Sequence, residues 1–134
     1  MIVIAVTGVK TTASCDGAGV VYECRLRLGR EGAPSEPFVH EDNKKGVALA
    51  AAVQKGLEAC GIVLNGSMPT VATSDHYLSN SGGFVHLFRA SSITHGEQAT
   101  VYSDEHYCEE VALLRALRKS LVMCGVDLQL RLLG

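Results

Sequence analysis

Two carboxylates stand where a strand end and a helix start would hold them out toward a ligand. Asp75 closes Thr70-Val-Ala-Thr-Ser74, which reads as a short strand, and Glu109 falls in the first turns of a helix opening at Asp104. Brought together by a fold, such oxygens can hold one Mg²⁺ or Mn²⁺, with Asp104 the nearest assisting carboxylate. The same residues also have plainer roles. Asp75 before His76 can cap a turn, and Glu109 with Glu110 complements the positive end of the helix macrodipole. The five histidines, His40, His76, His86, His95 and His106, are nowhere three or four residues apart, so a zinc or iron site would have to be assembled entirely by the fold. Cys108 lies two residues after His106 at the helix start, an adjacency that can activate a thiol nucleophile, although no third, orienting residue is identifiable. Gly17-Ala-Gly19 opens a strand and lacks the lysine and further glycine of a phosphate loop.

Basic residues form the second chemical feature. Arg115, Arg118 and Lys119 share one side of the last helix, and Arg25 and Arg27 project together from the second strand. Either set can position the phosphates of a nucleic acid, and either also reads as a solvated face.

The apolar pattern supplies the elements that must position these groups. Ile2 to Val6 is a mostly β-branched run closing in Thr7-Gly8, the pattern of a buried strand ending in a turn. After the polar stretch Lys10 to Gly17, Gly19 to Leu28 alternates from Tyr22 onward as a half-exposed second strand. Gly29 to Pro34 is a turn and Pro37 to Glu41 a short third strand, which together predict an antiparallel meander. Asp42 or Asn43 can cap a helix running to about Cys60, with Val47, Leu49, Ala50, Val53 and Leu57 at helical spacing and Gly61 as its stop. The small side chains from Ala48 to Ala52 let this helix lie close against a sheet. The strand Thr70 to Ser74 follows. Ser79 to Gly83 breaks any helix and Phe84 to Phe88 fits either strand or helix, so the stretch from His76 to His95 receives no assignment. Ala99 to Ser103 reads as a strand, Asp104 to Met123 as a helix striped by Val111, Leu114, Leu117 and Leu121, and Val126 to Leu133 as an alternating terminal strand. Thr70-Val71 and His76-Tyr77 recur thirty residues later as Thr100-Val101 and His106-Tyr107, an echo too brief for a repeat and read as coincidence.

Composition bounds the answer. The 134 residues, 47% hydrophobic, suit a single domain over 1–134 with a real core. A net charge of -2 and a pI near 6.2 exclude a purely electrostatic nucleic-acid coat. Mean hydropathy of +0.18 is high, yet no apolar run reaches the roughly 18 to 20 residues of a membrane span. No basic residue precedes the apolar start, so a secretory signal is not expected, and five scattered cysteines without a C-x-x-C pair fit thiols kept reduced in the cytoplasm.

The order of three strands, a helix, a strand ending in an acid, a weak segment, a strand and a helix resembles the ribonuclease H-like family. In that family, four acids hold two divalent cations: one after the first strand in Thr-Asp-Gly, a Glu on the first helix, one after the fourth strand in Thr-Asp-Ser, and an Asp on the last helix. Here Ile4-Ala-Val-Thr-Gly8 matches the first motif with Thr7 at the aspartate position, and Gly17 to Val21 is similar to the Gly-rich entry into the second strand. Asn43 to Ala51 resembles the first-helix start, with Val47 or Ala48 where the Glu would stand. Thr73-Ser-Asp75 keeps its acid, and Asp104 to Ala112 resembles the last helix, with Glu109 nearest the final carboxylate. Two of four acidic positions are thus matched, over an outline from Ile2 to about Ser120. Asp16, in a loop, could only be an outside substitute for the first.

The resemblance implies an α/β fold: a mixed sheet of five or six strands flanked by helices, with an extra C-terminal strand. It implies a catalytically degenerate protein that binds nucleic acid, such as RNA or an RNA–DNA hybrid, or a protein partner. The remnant site is Asp75 and Glu109, with Asp104 beside them as ligands of a weak Mg²⁺ or Mn²⁺ or of no metal at all, and the nucleic-acid contacts are Arg115, Arg118 and Lys119. The alternatives are a small self-associating module that pairs through Val126 to Leu133, a residual metal-dependent nuclease, and an enzyme built around His106 and Cys108.

Overall fold

The first strand is much longer than its apolar start. In the computed structural model, which describes residues 1–17, 19–64, 70–71, 77–78, 84–90, 100–106 and 108–132, β1 spans Ile2–Asp16. It is followed by β2 (Gly19–Arg30) and β3 (Glu36–Asp42), and the three pair antiparallel in succession, as the predicted meander requires. Thr7-Gly8 is therefore not a turn. The register shifts between Val6 and Gly8, and pairing then continues to Asp16 opposite Gly19. One extra residue moves the core-facing positions from Ile4 and Val6 to Val9 and Thr11, opposite the buried Leu26 and Cys24. The β-branched Thr11 and Thr12 suit the extended backbone that a polar reading of this stretch missed.

Helix α1 (Lys45–Ala59) comes next, and Gly61, at φ +71, gives it the left-handed stop. Its N-cap is Lys44, not Asp42 or Asn43; Asp42 Oδ1 instead accepts the Lys44 amide at 3.0 Å, just ahead of the cap. The described remainder is β4 (Thr70–Val71), β5 (Tyr77–Leu78), β6 (Phe84–Ala90), β7 (Thr100–His106), α2 (Glu109–Val122) and β8 (Val126–Leu130).

The strands form two sheets instead of one of five or six. The main sheet runs β3-β2-β1-β8 and is mixed, because β8 lies parallel to β1. In the second, β4, β5 and β7 all pair antiparallel with β6. Phe84 to Phe88, unassigned from sequence, is thus strand. Asp104 does not open the last helix: it lies in β7 opposite His86, because β7 pairs along β6 all the way to His106, and this pairing overrides the helical pattern. The helix begins five residues later. The two echoing segments also flank one strand, Thr70 and Val101 both facing Arg89.

One hydrophobic cluster joins the main sheet to both helices. Ile4, Leu26, Leu28 and Leu128 from the sheet meet Leu49, Val53 and Leu57 of α1 and Leu114, Leu117 and Leu121 of α2. Each fully buried Leu or Ile contributes about 1.5–3 kcal/mol relative to exposure. Helix α1 covers β2 and β3, while α2 reaches β6, β7 and β8 and so belongs to both sheets. Among the described residues no helix is long and apolar enough to cross a membrane.

The close approach predicted from Ala48 to Ala52 is sharpest one turn further on, at Gly56. A Cβ placed there would lie 2.6 Å from Leu28 Cδ1 and 2.7 Å from its Cγ. Gly→Ala inside a helix ordinarily stabilises by about 1 kcal/mol. Gly56→Ala is expected instead to destabilise by about 1–3 kcal/mol in urea unfolding, as overpacking does; a gain in stability would show that α1 can lift from the sheet.

Candidate functional site

The N-termini of both helices meet at one polar cluster. Lys45 is the first residue of α1, and Glu109 and Glu110 are the first two of α2. Lys45 Nζ lies 2.6 Å from Glu109 Oε2 and 2.9 Å from Glu110 Oε1. The three side chains are only 21%, 19% and 21% exposed, so solvent screens this pair of contacts less than an ordinary surface salt bridge. The acids also face the positive end of the α2 dipole, which suits them. Lys45 faces the same kind of helix end, which does not suit a cation, and α1 has no acid in its first turn. The carboxylates of α2 supply what α1 lacks.

Burial acts on these groups in opposition to pairing. It pushes the Glu110 carboxyl up, but the hydrogen bond from Lys45, a backbone hydrogen bond and the charge of Lys45 pull harder and hold it below its usual 4.5. For Lys45, burial favours the neutral amine, yet the two carboxylates outweigh it and raise the ammonium above its usual 10.5.

The neighbours complete the picture. Cys108, the exposed N-cap residue of α2, donates its thiol hydrogen to Glu110 Oε2 at 3.3 Å, and its amide donates to His106 Nδ1 at 2.9 Å. Glu110 is the third residue that the His106–Cys108 pair lacked in sequence, but it is a carboxylate receiving the thiol, while the imidazole nitrogen receives a backbone amide. The base on the sulfur is thus the weakly basic carboxylate of Glu110, and the Nδ1 of His106 is turned on the backbone instead. Cys24, opposite Thr11 in the core beneath, is pushed up to about 11 by burial, with the Thr11 hydroxyl opposing the shift.

Of the predicted site residues, the structure brings Glu109 into this cluster. Asp75 lies outside the described residues. Asp104 lies on β7 and not at the helix start. A divalent ion wants several free oxygens. Both carboxylates at the start of α2 already face an ammonium, and among the described residues no group of three or more His, Cys, Asp or Glu is placed to hold a metal. The described residues therefore do not fit Mg²⁺ or Mn²⁺ at Glu109.

Arg115, Arg118 and Lys119 are all exposed on α2, as their spacing predicts. Arg118 Nε also donates to Asp127 Oδ1 of β8 at 3.0 Å, which offsets part of the positive face. Lys45 is the side chain of this cluster that the sequence reading passed over. Its signal is local: Lys44-Lys45 at a helix start, where acids are favoured, calls for an acid from elsewhere. No protein-family model and no curated protein matches this chain.

Replacing Lys45 by Met leaves two half-buried carboxylates facing one another. K45M is expected to unfold about 1–3 kcal/mol more easily than the unaltered protein at pH 7 in urea. A lowered carboxyl contributes stability above its usual value and loses it as pH falls through the folded one. The unaltered protein's advantage should therefore shrink as pH falls below 4.5 and through the lower value of the folded state; an advantage that does not shrink at all on acidification would show that the ion pair contributes nothing.

Proposed function

We propose that this chain is a ribonuclease H-like domain with a degenerate catalytic site, which works in the cytoplasm by binding nucleic acid instead of cleaving it. The observation that carries this reading is the Lys45 ammonium held between Glu109 and Glu110. By resemblance Glu109 is the carboxylate nearest the family's last metal ligand. An ammonium there supplies the counter-charge that a divalent ion would otherwise bring, without a metal-bound water to attack phosphate. What remains is a surface. The exposed face of α2, with Arg115, Arg118 and Lys119, is one turn wide and suits phosphate oxygens spaced along a strand. Because Asp127 shares Arg118, a phosphate there competes with an internal partner, which favours modest affinity and fast release.

Fluorescence anisotropy with a short labelled RNA–DNA hybrid tests the reading. Binding is expected in low salt, unchanged by EDTA, with no cleavage after long incubation in Mn²⁺. Replacing Arg115, Arg118 and Lys119 together by Ala should weaken it by about tenfold and flatten the salt dependence by roughly two to three counterions. Cleavage in Mn²⁺, or no binding of hybrid or single-stranded RNA, would overturn it.

A further inference from the structure

The main sheet ends in β8, and among the described residues nothing pairs with the far side of that strand. Its near side is fixed by hydrogen bonds. The Ile2 amide donates to Gly125 O at 3.1 Å, and the Arg131 amide donates to Val6 O at 2.8 Å. Bonding residues alternate along a strand, so Gly125, Asp127, Gln129 and Arg131 face β1, while Val126, Leu128 and Leu130 turn their N–H and C=O groups outward. The opposite edge is built differently. Strand β3 carries Pro37 and the acids Glu36, Glu41 and Asp42, features that blunt an edge against further pairing. Strand β8 has no proline, and its charges are ordered.

That order is the informative feature. Asp127, Gln129 and Arg131 lie on the face opposite the buried Val126 and Leu128 and run acid, amide, base. Gln129 Nε2 donates to Asp127 Oδ2 at 3.2 Å, and Arg131 Nη2 donates to Gln129 Oε1 at 2.8 Å, which holds the row in line, while its ends also pair within the chain, Asp127 with Arg118 and Arg131 with Glu31. A row of this kind is complementary to itself when reversed.

We propose that β8 pairs antiparallel with β8 of a second copy of this chain, about a twofold axis at Gln129, joining two four-stranded sheets into one. In this register Leu128 stands opposite Leu130 of the second copy. Both carry outward-turned backbone groups and so form a hydrogen-bonded pair. Asp127 then stands opposite Arg131 of the second copy, and Arg131 opposite its Asp127, in the closer non-hydrogen-bonded sites where opposite charges stabilise pairing. Shifting the register by two residues sets Asp127 or Arg131 against Gln129, and shifting by four sets like charges together. Leu132 of the second copy comes level with Val126, at the strand end that follows the exposed Val122 and Met123. Because the interface is isologous, each contact is made twice. The pairing does not depend on nucleic-acid binding.

Sedimentation velocity over a range of about 5 to 500 μM tests it. The unaltered chain is expected to pass from monomer to dimer. D127R presents two bases at the axis and R131D two acids, so each alone should shift the midpoint at least about tenfold toward monomer. Mixed in equal amounts, the two variants regain opposite charges at both sites and should form a heterodimer as readily as the unaltered chain forms its homodimer. Circular dichroism of each single variant guards against misfolding, and regain on mixing excludes it directly. A chain that stays monomeric to the highest concentration, single variants that still dimerise, or a mixture that does not recover would each overturn the pairing.

Discussion

The distance between α1 and the main sheet is the constraint on which the rest depends. Ala48, Ala52 and Gly56 present almost no side chain, and Leu28 of β2 fills the space that a Cβ at Gly56 would need. A thin helix face of this kind brings backbone to within side-chain reach of the strands, and it leaves the interior little freedom to adjust. With α1 lowered onto β2 and β3, its first residue comes to the same level as the start of α2. The ion pairs of Lys45 follow from that placement. A bulkier residue in the row would raise the helix and part the ammonium from the two carboxylates.

Two helix N-termini meeting at one point concentrate positive potential, and the chain answers with two acids and one cation. The acids are stabilised by both helix ends, while Lys45 tolerates its own end because the acids are there. Burial opposes ionisation of Lys45 and of Glu110, so each holds its charge only beside its partner. Such an arrangement favours a single geometry over strength, because each group is satisfied only by these partners. It also leaves the thiol of Cys108 and the ring of His106 as contributors to local order: each already has a hydrogen-bond partner within the turn.

The meander, both helices and the terminal strand were legible in the sequence because alternation and helical spacing report which face is buried. Tyr22 to Leu28 and Leu114 to Leu121 carry that signal without ambiguity. The extent of β1 was not legible. Lys10 to Cys15 has no buried face strong enough to mark period two, and a partner strand, not a core, keeps it extended. The same holds for Asp104 to His106, the end of a strand whose start was legible, where pairing with β6 decided between strand and helix. Glu109 was visible as an acid at a helix start, but its counter-ion was not, since sixty-four residues separate it from Lys45 and no local pattern spans that interval.

The parallel pairing of β1 with β8 joins Ile2 to Val126, nearly opposite ends of the numbered chain. Every other strand of the main sheet pairs with its immediate neighbour in sequence. The meander and α1 can therefore assemble from local contacts, while the fourth place in the sheet waits for a segment more than a hundred residues away. During synthesis, β1 emerges from the ribosome long before β8, and until then its free edge, rich in Ile and Val, is open to any extended chain nearby. Docking of β8 thus covers that edge of β1.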